Sequence, residues 1–359
     1  MRRTLFLFFT FLCFYSFAQE LEHRLIVFGD AGEINNKQTF LIEKSHALKV
    51  DKKTTAFFVG DNTYEFGMAL SAPENMETAK ILQSQYEGFR KIDVPVYFLA
   101  GNHDWDKSKK DGLAKLKAQE QFILDQKDPG LKFIPKAGTI GPEAIHMSER
   151  LTVITYDSEY WLFPHHGRSI EQDKDEFIAE LGKLLEEHQD KRVILISHHP
   201  MLTFGEHALK YTWRDHLFPL TRLWKGAYLP LPGLGSLYPL LRSTAFASPE
   251  DIKHPLYRDL IARVTEVSKS HPNLIFVSGH DHGLQYIDKE GMHQIVSGSG
   301  AKTSEIRKDE SLKFRYNKQG FSVIDCHDNG DLRIQFYIDE PQDSLTKAFE
   351  AEIPFQLTH

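Results

Sequence analysis

Five short polar clusters hold most of the residues able to do chemistry in this chain. They are Gly29-Asp30-Ala31-Gly32, Gly60-Asp61-Asn62, Gly101-Asn102-His103-Asp104, Ser197-His198-His199-Pro200 and Ser278-Gly279-His280-Asp281-His282. Carboxylate, amide oxygen and imidazole are borderline-to-hard donors that suit iron, manganese or zinc. Asp30, Asp61, Asn102, His198, His280 and His282 exceed what one ion with an open position needs. They fit two ions sharing a bridging carboxylate, as in two-metal hydrolytic sites with ions ~3.5–4 Å apart. In extended chain, His280 and His282 at i and i+2 point the same way. Taken singly, each cluster has a plainer reading: a strand-to-helix turn capped by Asp30, a turn at Gly60, a solvated loop at His198. The combination is what points to metal. No cysteine takes part, which excludes a thiolate zinc site or an iron–sulfur cluster.

The segments that must position these clusters are apolar and of strand type. Residues 24–28, 55–59, 94–100, 193–196 and 274–277 are short apolar runs, each stopped by one of the clusters. Near-continuous apolar runs suit strands covered on both faces. Between them, Ile81-Leu82-Tyr86-Phe89, Phe177-Ile178-Leu181-Leu184-Leu185 and Leu260-Ile261-Val264-Val267 repeat with helical spacing. Strand and helix alternate, which predicts an α/β fold with a largely parallel core. Ligands of such folds bind at the carboxyl ends of the strands, where all five clusters lie. Residues 321–325 and 332–336 alternate with period two around Asp328-Asn329-Gly330-Asp331 and predict an antiparallel hairpin. Residues 201–255 break the βαβ spacing with prolines and large aromatics and predict an irregular insertion, a lid or a satellite core. Tyr211, Trp213 and Arg214 are its candidate pocket residues, with Tyr228 and Tyr238 as packing.

The order Asp30, Gly60-Asp61-Asn62, Gly101-Asn102-His103-Asp104, His198-x-Pro200 and Gly279-His280-x-His282 resembles the calcineurin-like metallophosphoesterases across residues 24–300. Most of that superfamily has Asp-x-His at the first position; here Gly32 replaces the histidine, and Tyr64 stands three residues after Asp61. Both changes resemble the purple acid phosphatase branch. The resemblance implies a β-sandwich flanked by helices and built from βαβ units, over a catalytic domain of residues 19–340 followed by a 341–359 tail. It implies that Asp30, Asp61, Tyr64 and His282 hold ferric iron. Asp61, Asn102, His198 and His280 would hold a second, divalent ion (iron, zinc or manganese), with Asp61 bridging. The implied activity is hydrolysis of small-molecule phosphate monoesters by a metal-bound hydroxide. A phosphodiesterase or nucleotide pyrophosphatase could use the same site, and a non-catalytic binding scaffold would be expected to lack ligands. His103 would stabilise the phosphoryl group or protonate the leaving oxygen, with Asp104 orienting it. The chain departs from the usual pattern at Asp104, where glutamate is common, and at Leu195, where valine is common. The second-sphere histidine beyond the fourth motif has two candidates, His199 and His207. The pair His165-His166 and the turn Ser297-Gly298-Ser299-Gly300 are weaker candidates to approach the pocket.

Composition fits an ordinary globular chain, with 41% hydrophobic and 26% charged residues. A net charge of -7 gives no electrostatic footprint for nucleic acid. Arg2-Arg3, the apolar run Leu5–Phe17 and the small residues Ser16 and Ala18 form the three parts of a secretory signal peptide over residues 1–18. The run is shorter than the ~20 residues of a membrane span, which leaves an uncleaved anchor as the alternative. Cleavage would make the mature chain exported, periplasmic or secreted, without a transmembrane span. It would also remove Cys13 and leave Cys326 with no intrachain partner.

Overall fold

The computed structural model describes residues 19–208, 248–341 and 343–357. Residues 1–18, read above as a signal peptide, lie outside this range. So do residues 209–247, which hold Tyr211, Trp213, Arg214, Tyr228 and Tyr238.

Two seven-stranded sheets form the centre. The first contains β1 (Leu21–Phe28), β2 (Thr54–Val59), β3 (Val96–Leu99), β4 (Leu131–Phe133), β12 (Gly320–His327), β13 (Leu332–Asp339) and β14 (Leu345–Ile353). Its order is β14-β13-β12-β1-β2-β3-β4, parallel from β1 to β4 and antiparallel through the C-terminal strands. The second contains β5 (Glu143–His146), β6 (Leu151–Thr155), β7 (Arg192–Ile196), β8 (Leu274–Ser278), β9 (Leu284–Lys289), β10 (Met292–Ser297) and β11 (Leu312–Tyr316). Its order is β11-β9-β10-β8-β7-β6-β5, with β6, β7, β8 and β10 parallel. The chain is thus α/β, with the parallel strands divided between two sheets. Strand alternation sorts the side chains. Leu25, Val27, Phe57 and Val59 join Ile194, Ile196, Ile275 and Val277 in the layer between the sheets. Their neighbours Ile26, Phe28, Ala56 and Phe58 belong to the other cluster, with helical residues such as Leu41, Leu82 and Phe89.

The helices are α1 (Asn36–Ser45), α2 (Glu74–Lys91), α3 (Gly112–Asp125), α4 (Ser158–Leu162), α5 (Glu171–Glu187) and α6 (Pro255–Ser268). The helical spacings seen in the sequence fall inside α2, α5 and α6. Caps fix two of the starts. Asn35 accepts the Gln38 amide at α1, and Asp157 accepts the Glu159 and Tyr160 amides at α4. No helix among the described residues is long and apolar enough to cross a membrane.

The segment expected to be a C-terminal tail is instead part of the first sheet, because β14 pairs with β13 from Leu332↔Ile353 to Asp339↔Leu345. Beyond it, Asn273 exchanges two 2.8 Å hydrogen bonds with the Gln356 backbone. Arg192, buried at the start of β7, donates to the carbonyls of Gly330 and Ile353. These bonds tie the C-terminal strand of one sheet to the other sheet. Arg24 of β1 likewise clamps Asp325 of β12 through two 2.6 Å bonds.

β1 also carries a pH-sensitive group. Burial holds the His23 imidazole down to about 4, against the pull of Glu22, and its Nε2 lies 2.9 Å from Thr55 Oγ1. The unfolded chain takes up this proton near ~6.5, the fold only near 4. Stability is therefore unaffected above ~6.5 and falls as pH drops toward 4, by at most about 3 kcal/mol. His23→Gln keeps a polar partner for Thr55, and should flatten the acid limb of a plot of Tm against pH. An unchanged limb would remove His23 as a source of acid sensitivity.

Candidate metal centre

The registers bring the strand ends together. Phe28 pairs with Phe58, Val59 with Leu99, and Ile196 with Val277. The clusters that follow these strands therefore meet at one edge of the sandwich. Asp30, Asp61 and His280 all have positive φ, at 57°, 56° and 69°. Such strain in non-glycine residues gathers where the surroundings over-determine a functional geometry. Two glycines allow the close approach. A Cβ on Gly60 would come 2.4 Å from His198 Nδ1, and one on Gly101 would come 2.4 Å from Asp61 Oδ1 and 2.3 Å from its amide.

The donors fall into two groups. In the first, Asp30, Asp61 and His282 place ligand-type atoms within 4.8 Å of one another. Tyr64 Oη donates to Asp30 Oδ1 at 3.1 Å and lies 3.3 Å from His282 Nε2. In the second, Asn102 Oδ1 lies 3.0 Å from His198 Nε2 and 3.3 Å from His280 Nδ1, and Asp61 Oδ1 is 3.4 Å from His198 Nε2. Asp61 thus touches both groups. Asp281, between the two histidines, accepts from Thr203 and from the His207 amide and so faces the protein.

Hydrogen bonds assign the imidazole protons. His198 Nδ1 faces the Val59 carbonyl at 2.9 Å, and His280 Nε2 faces the Glu250 carbonyl at 3.0 Å. Each of these nitrogens must donate to its carbonyl, which leaves His198 Nε2 and His280 Nδ1 as the ring nitrogens that face Asn102 Oδ1. Two ring nitrogens and the amide oxygen then converge on one point. Asp30 and Asp61 are fully buried, and among the described residues their ion-pair partners are histidines alone. Buried carboxylates paired with imidazoles and not with Lys or Arg are costly, and bound cations would offset that cost.

The electrostatics agree. Burial, then the Asp30 and Asp61 charges, push the Tyr64 phenol well above its usual range; a bound cation reverses that balance. Burial pulls His198 down, yet Asp61 and Asp30 raise it overall; His282 is raised in the same way by Asp30. Burial and the neighbouring His207, His199 and His198 hold His280 well below the usual value and keep it neutral.

His103 sits beside this centre. Its Nδ1 donates to the Glu65 carbonyl at 2.8 Å, its Nε2 is 3.8 Å from Asp61 Oδ2, and its ring meets Tyr64 edge-on at 4.4 Å. The expectation that Asp104 orients His103 is corrected by these contacts. Asp104 is buried and accepts the backbone amides of Gly101, Asn62 and Thr63, so it fixes the loop bearing Asp61, while the Glu65 carbonyl holds His103. Burial and the nearby Asp61 raise Asp104 to about 7.

The weaker sequence candidates divide. The Gly298, Gly300 and Ala301 amides donate to Gly283, Gly29 and Asp30 carbonyls, so that turn braces the site and is not free to cradle phosphate. His166 donates to the Tyr160 carbonyl and packs among Trp105, Tyr160 and Phe163. His207 stacks on His280 at 4.0 Å, and His199 lies 4.3 Å from the same ring. His198, His199 and His280 also bring ligand-type nitrogens within 4.8 Å. However, His199 Nδ1 is engaged with Ser158, and its Nε2 lies 3.8 Å from buried Glu159. Glu159, Glu250, Glu65 and Lys302 were not singled out from the sequence; ordinary acidic and basic residues outside the motifs give no signal. Glu250 and His207 lie at the two described ends of the 201–255 segment, and the Ile252 amide donates to the His207 carbonyl.

Gly101→Ala should displace Asp61. Metal affinity should fall ~10–100-fold, the scale of losing ligand support, and calorimetric titration with Zn²⁺ or Mn²⁺ would measure it. Unchanged affinity would mean that the loop yields without moving the carboxylate.

No curated protein sequence matches the chain. A family model described as calcineurin-like phosphoesterase matches residues 23–284. Among solved structures the chain is similar to GAP50, the anchor in the inner membrane complex of Plasmodium, at 15% identity and TM-score 0.57, over 94% of this chain and 90% of that one. It is also similar to the purple acid phosphatase PPD1 from yellow lupin (Lupinus luteus) seeds, at 14% identity and TM-score 0.56, over 92% of this chain and 53% of that one. A third similar structure is PhoD, at 11% identity and TM-score 0.57, over 94% of this chain and 69% of that one. The chain spans about half the length of the lupin protein, and at these identities the likeness is one of fold.

Proposed function

Because the chain belongs to the calcineurin-like phosphoesterase family, we propose that it is a dinuclear phosphatase acting on phosphate monoesters. Asp30, Asp61, Tyr64 and His282 would hold ferric iron. Asp61, Asn102, His198 and His280 would hold a divalent ion, with Asp61 shared. One observation carries the reading: the His198 Nε2 and His280 Nδ1 ring nitrogens and the Asn102 oxygen converge on a point flanked by the buried Asp61 carboxylate. That donor set fits a metal ion and leaves little else to stabilise it. The tyrosine in a carboxylate- and imidazole-lined group favours a trivalent ion, which binds phenolate well.

When bound, two such ions neutralise phosphoryl oxygens and acidify water. The chain supplies the rest. The Val59 and Glu250 carbonyls fix the tautomers of His198 and His280, so the site is organised before substrate arrives. Asp104 and the tight glycines hold the Asp61 loop. With its Nδ1 proton held by Glu65, His103 can present only Nε2 to a substrate oxygen, as a donor to the phosphoryl group or to the leaving alkoxide. The leader-like residues 1–18 support export.

The test is metal analysis of the purified protein, with a visible spectrum and paired aryl mono- and diester assays. Two metal equivalents, a charge-transfer band and faster monoester turnover are expected. Loaded protein that turns over diesters alone would redirect the reading to a phosphodiesterase. Loaded protein that hydrolyses neither would end the enzymatic reading.

A further inference from the structure

Lys302 joins three loops of the candidate centre. Its ammonium lies 4.5 Å from the centroid of the Tyr64 ring. Two carboxylates hold it there, Glu33 at 2.7 Å and Glu65 at 2.9 Å. Each partner is anchored next to a proposed ligand. Glu33 is three residues beyond Asp30, and Glu65 adjoins Tyr64 and carries the carbonyl that fixes His103. Lys302 itself follows Ala301, whose amide donates to the Asp30 carbonyl at 2.9 Å. Lys107 completes the chain of charges by pairing with Glu65 at 2.9 Å.

An exposed lysine pair is normally worth ~0–1 kcal/mol and holds no fixed position. Lys302 differs in being about three-quarters buried, doubly tethered and set over an aromatic face. We infer that Lys302 is a positioning residue for Tyr64 whose charge tunes how strongly that side chain donates to a trivalent ion; this rests on the reading of Tyr64 as an iron ligand. A cation over a neutral ring gains ~0.5–2 kcal/mol. Over a phenolate the ring itself is anionic, so the attraction is greater. The ammonium stabilises the donor electrons of the phenolate. Phenolate-to-iron charge transfer then costs more energy, and the absorption band moves to shorter wavelength.

The sign follows for variants. Lys302→Met removes the cation over the ring and leaves the Glu33 and Glu65 carboxylates that held it, so the band should move to longer wavelength. Glu33→Gln removes one negative charge and leaves Lys302 in place, so the band should move to shorter wavelength. Lys302→Arg should restore a near-native position. A merely structural staple would change stability or iron content without shifts of opposite sign. Visible spectra of the iron-loaded variants, each with its iron content measured, read this directly. If Lys302→Met loses iron, the Glu33→Gln arm decides alone. Unshifted bands in loaded variants, or shifts in the same direction, would overturn the inference. Wild-type protein that binds iron without any such band would sink the Tyr64 reading, and this inference with it.

Discussion

Asp61→Ala should abolish phosphoester hydrolysis and lower the content of both metal equivalents together. The ligand-type oxygens of Asp61 lie close to the side-chain donors of both groups. Its Oδ1 lies 3.4 Å from His198 Nε2, and its ligand-type atoms lie within 4.8 Å of those of Asp30 and His282. Burial pushes its carboxyl up, but His103 and His198 more than offset this and hold it below the ordinary range. It is therefore an anion wherever the enzyme would work. Loss of an outer-shell partner costs ~10–100-fold in metal affinity, and loss of a shared ligand should exceed that at both subsites. Alanine also removes the acceptor for the His103 amide, 2.9 Å from Asp61 Oδ1. Asp61→Asn keeps an oxygen there and separates the two effects. If charge and bridging matter, Asp61→Asn should also lose metal while keeping a native Tm. Two ions per chain with near-normal turnover in either variant would rule out the shared role.

The contrast with Asn102 sharpens the point. The Asn102 oxygen faces the histidine group, with His198 Nε2 at 3.0 Å and His280 Nδ1 at 3.3 Å. Its loss should weaken one subsite and spare the other. A selective deficit in one variant and a joint deficit in the other would locate the bridge without reference to activity.

Most of the centre was legible in the sequence because its donors stand at the ends of apolar runs. β1, β2, β3, β7 and β8 were each visible as strands, and each is followed within three residues by a donor that the fold brings to one edge. Periodicity does not reveal which sheet a strand joins, so the two-sheet sandwich was implied by the family resemblance and not by the pattern of residues. β6, with the sequence Leu-Thr-Val-Ile-Thr, lies fully buried between β5 and β7 but ends in no striking polar cluster. β14 was missed for a different reason. Leu345–Ile353 is half-buried to exposed, with only Ile353 buried, and carries Lys347, Glu350 and Glu352, as an edge strand that discourages further pairing should, and so it resembled a tail. The supporting shell was the least visible. Val59, Glu65 and Glu250 act through backbone carbonyls, and a carbonyl leaves no mark in the residue type. Asp104 shows the complementary error: the right residue was singled out, but its carboxylate holds the Asp61 loop and not the adjacent histidine.

His103→Ala should leave metal content intact and lower turnover by roughly 10²–10⁴, the contribution of a positioned general acid or base. The geometry separates this side chain from the donors. Its Nδ1 is committed to the Glu65 carbonyl, and its Nε2 stays 3.8 Å from Asp61 Oδ2, beyond hydrogen-bond length. The side chain is 12% exposed, which leaves an edge open to substrate. The two possible roles predict different substrate dependence. Donation to the leaving oxygen matters most when that oxygen is basic, so His103→Ala should slow an alkyl phosphate far more than a nitrophenyl phosphate. Stabilisation of the phosphoryl group alone should slow both by similar factors. His103→Gln retains a hydrogen-bond donor but cannot transfer a proton as readily. It should therefore rescue the aryl ester selectively if proton transfer is the role, and both esters if hydrogen bonding is. Loss of metal from His103→Ala would assign the side chain to the coordination sphere, and unaltered rates on both esters would leave it no part in the reaction.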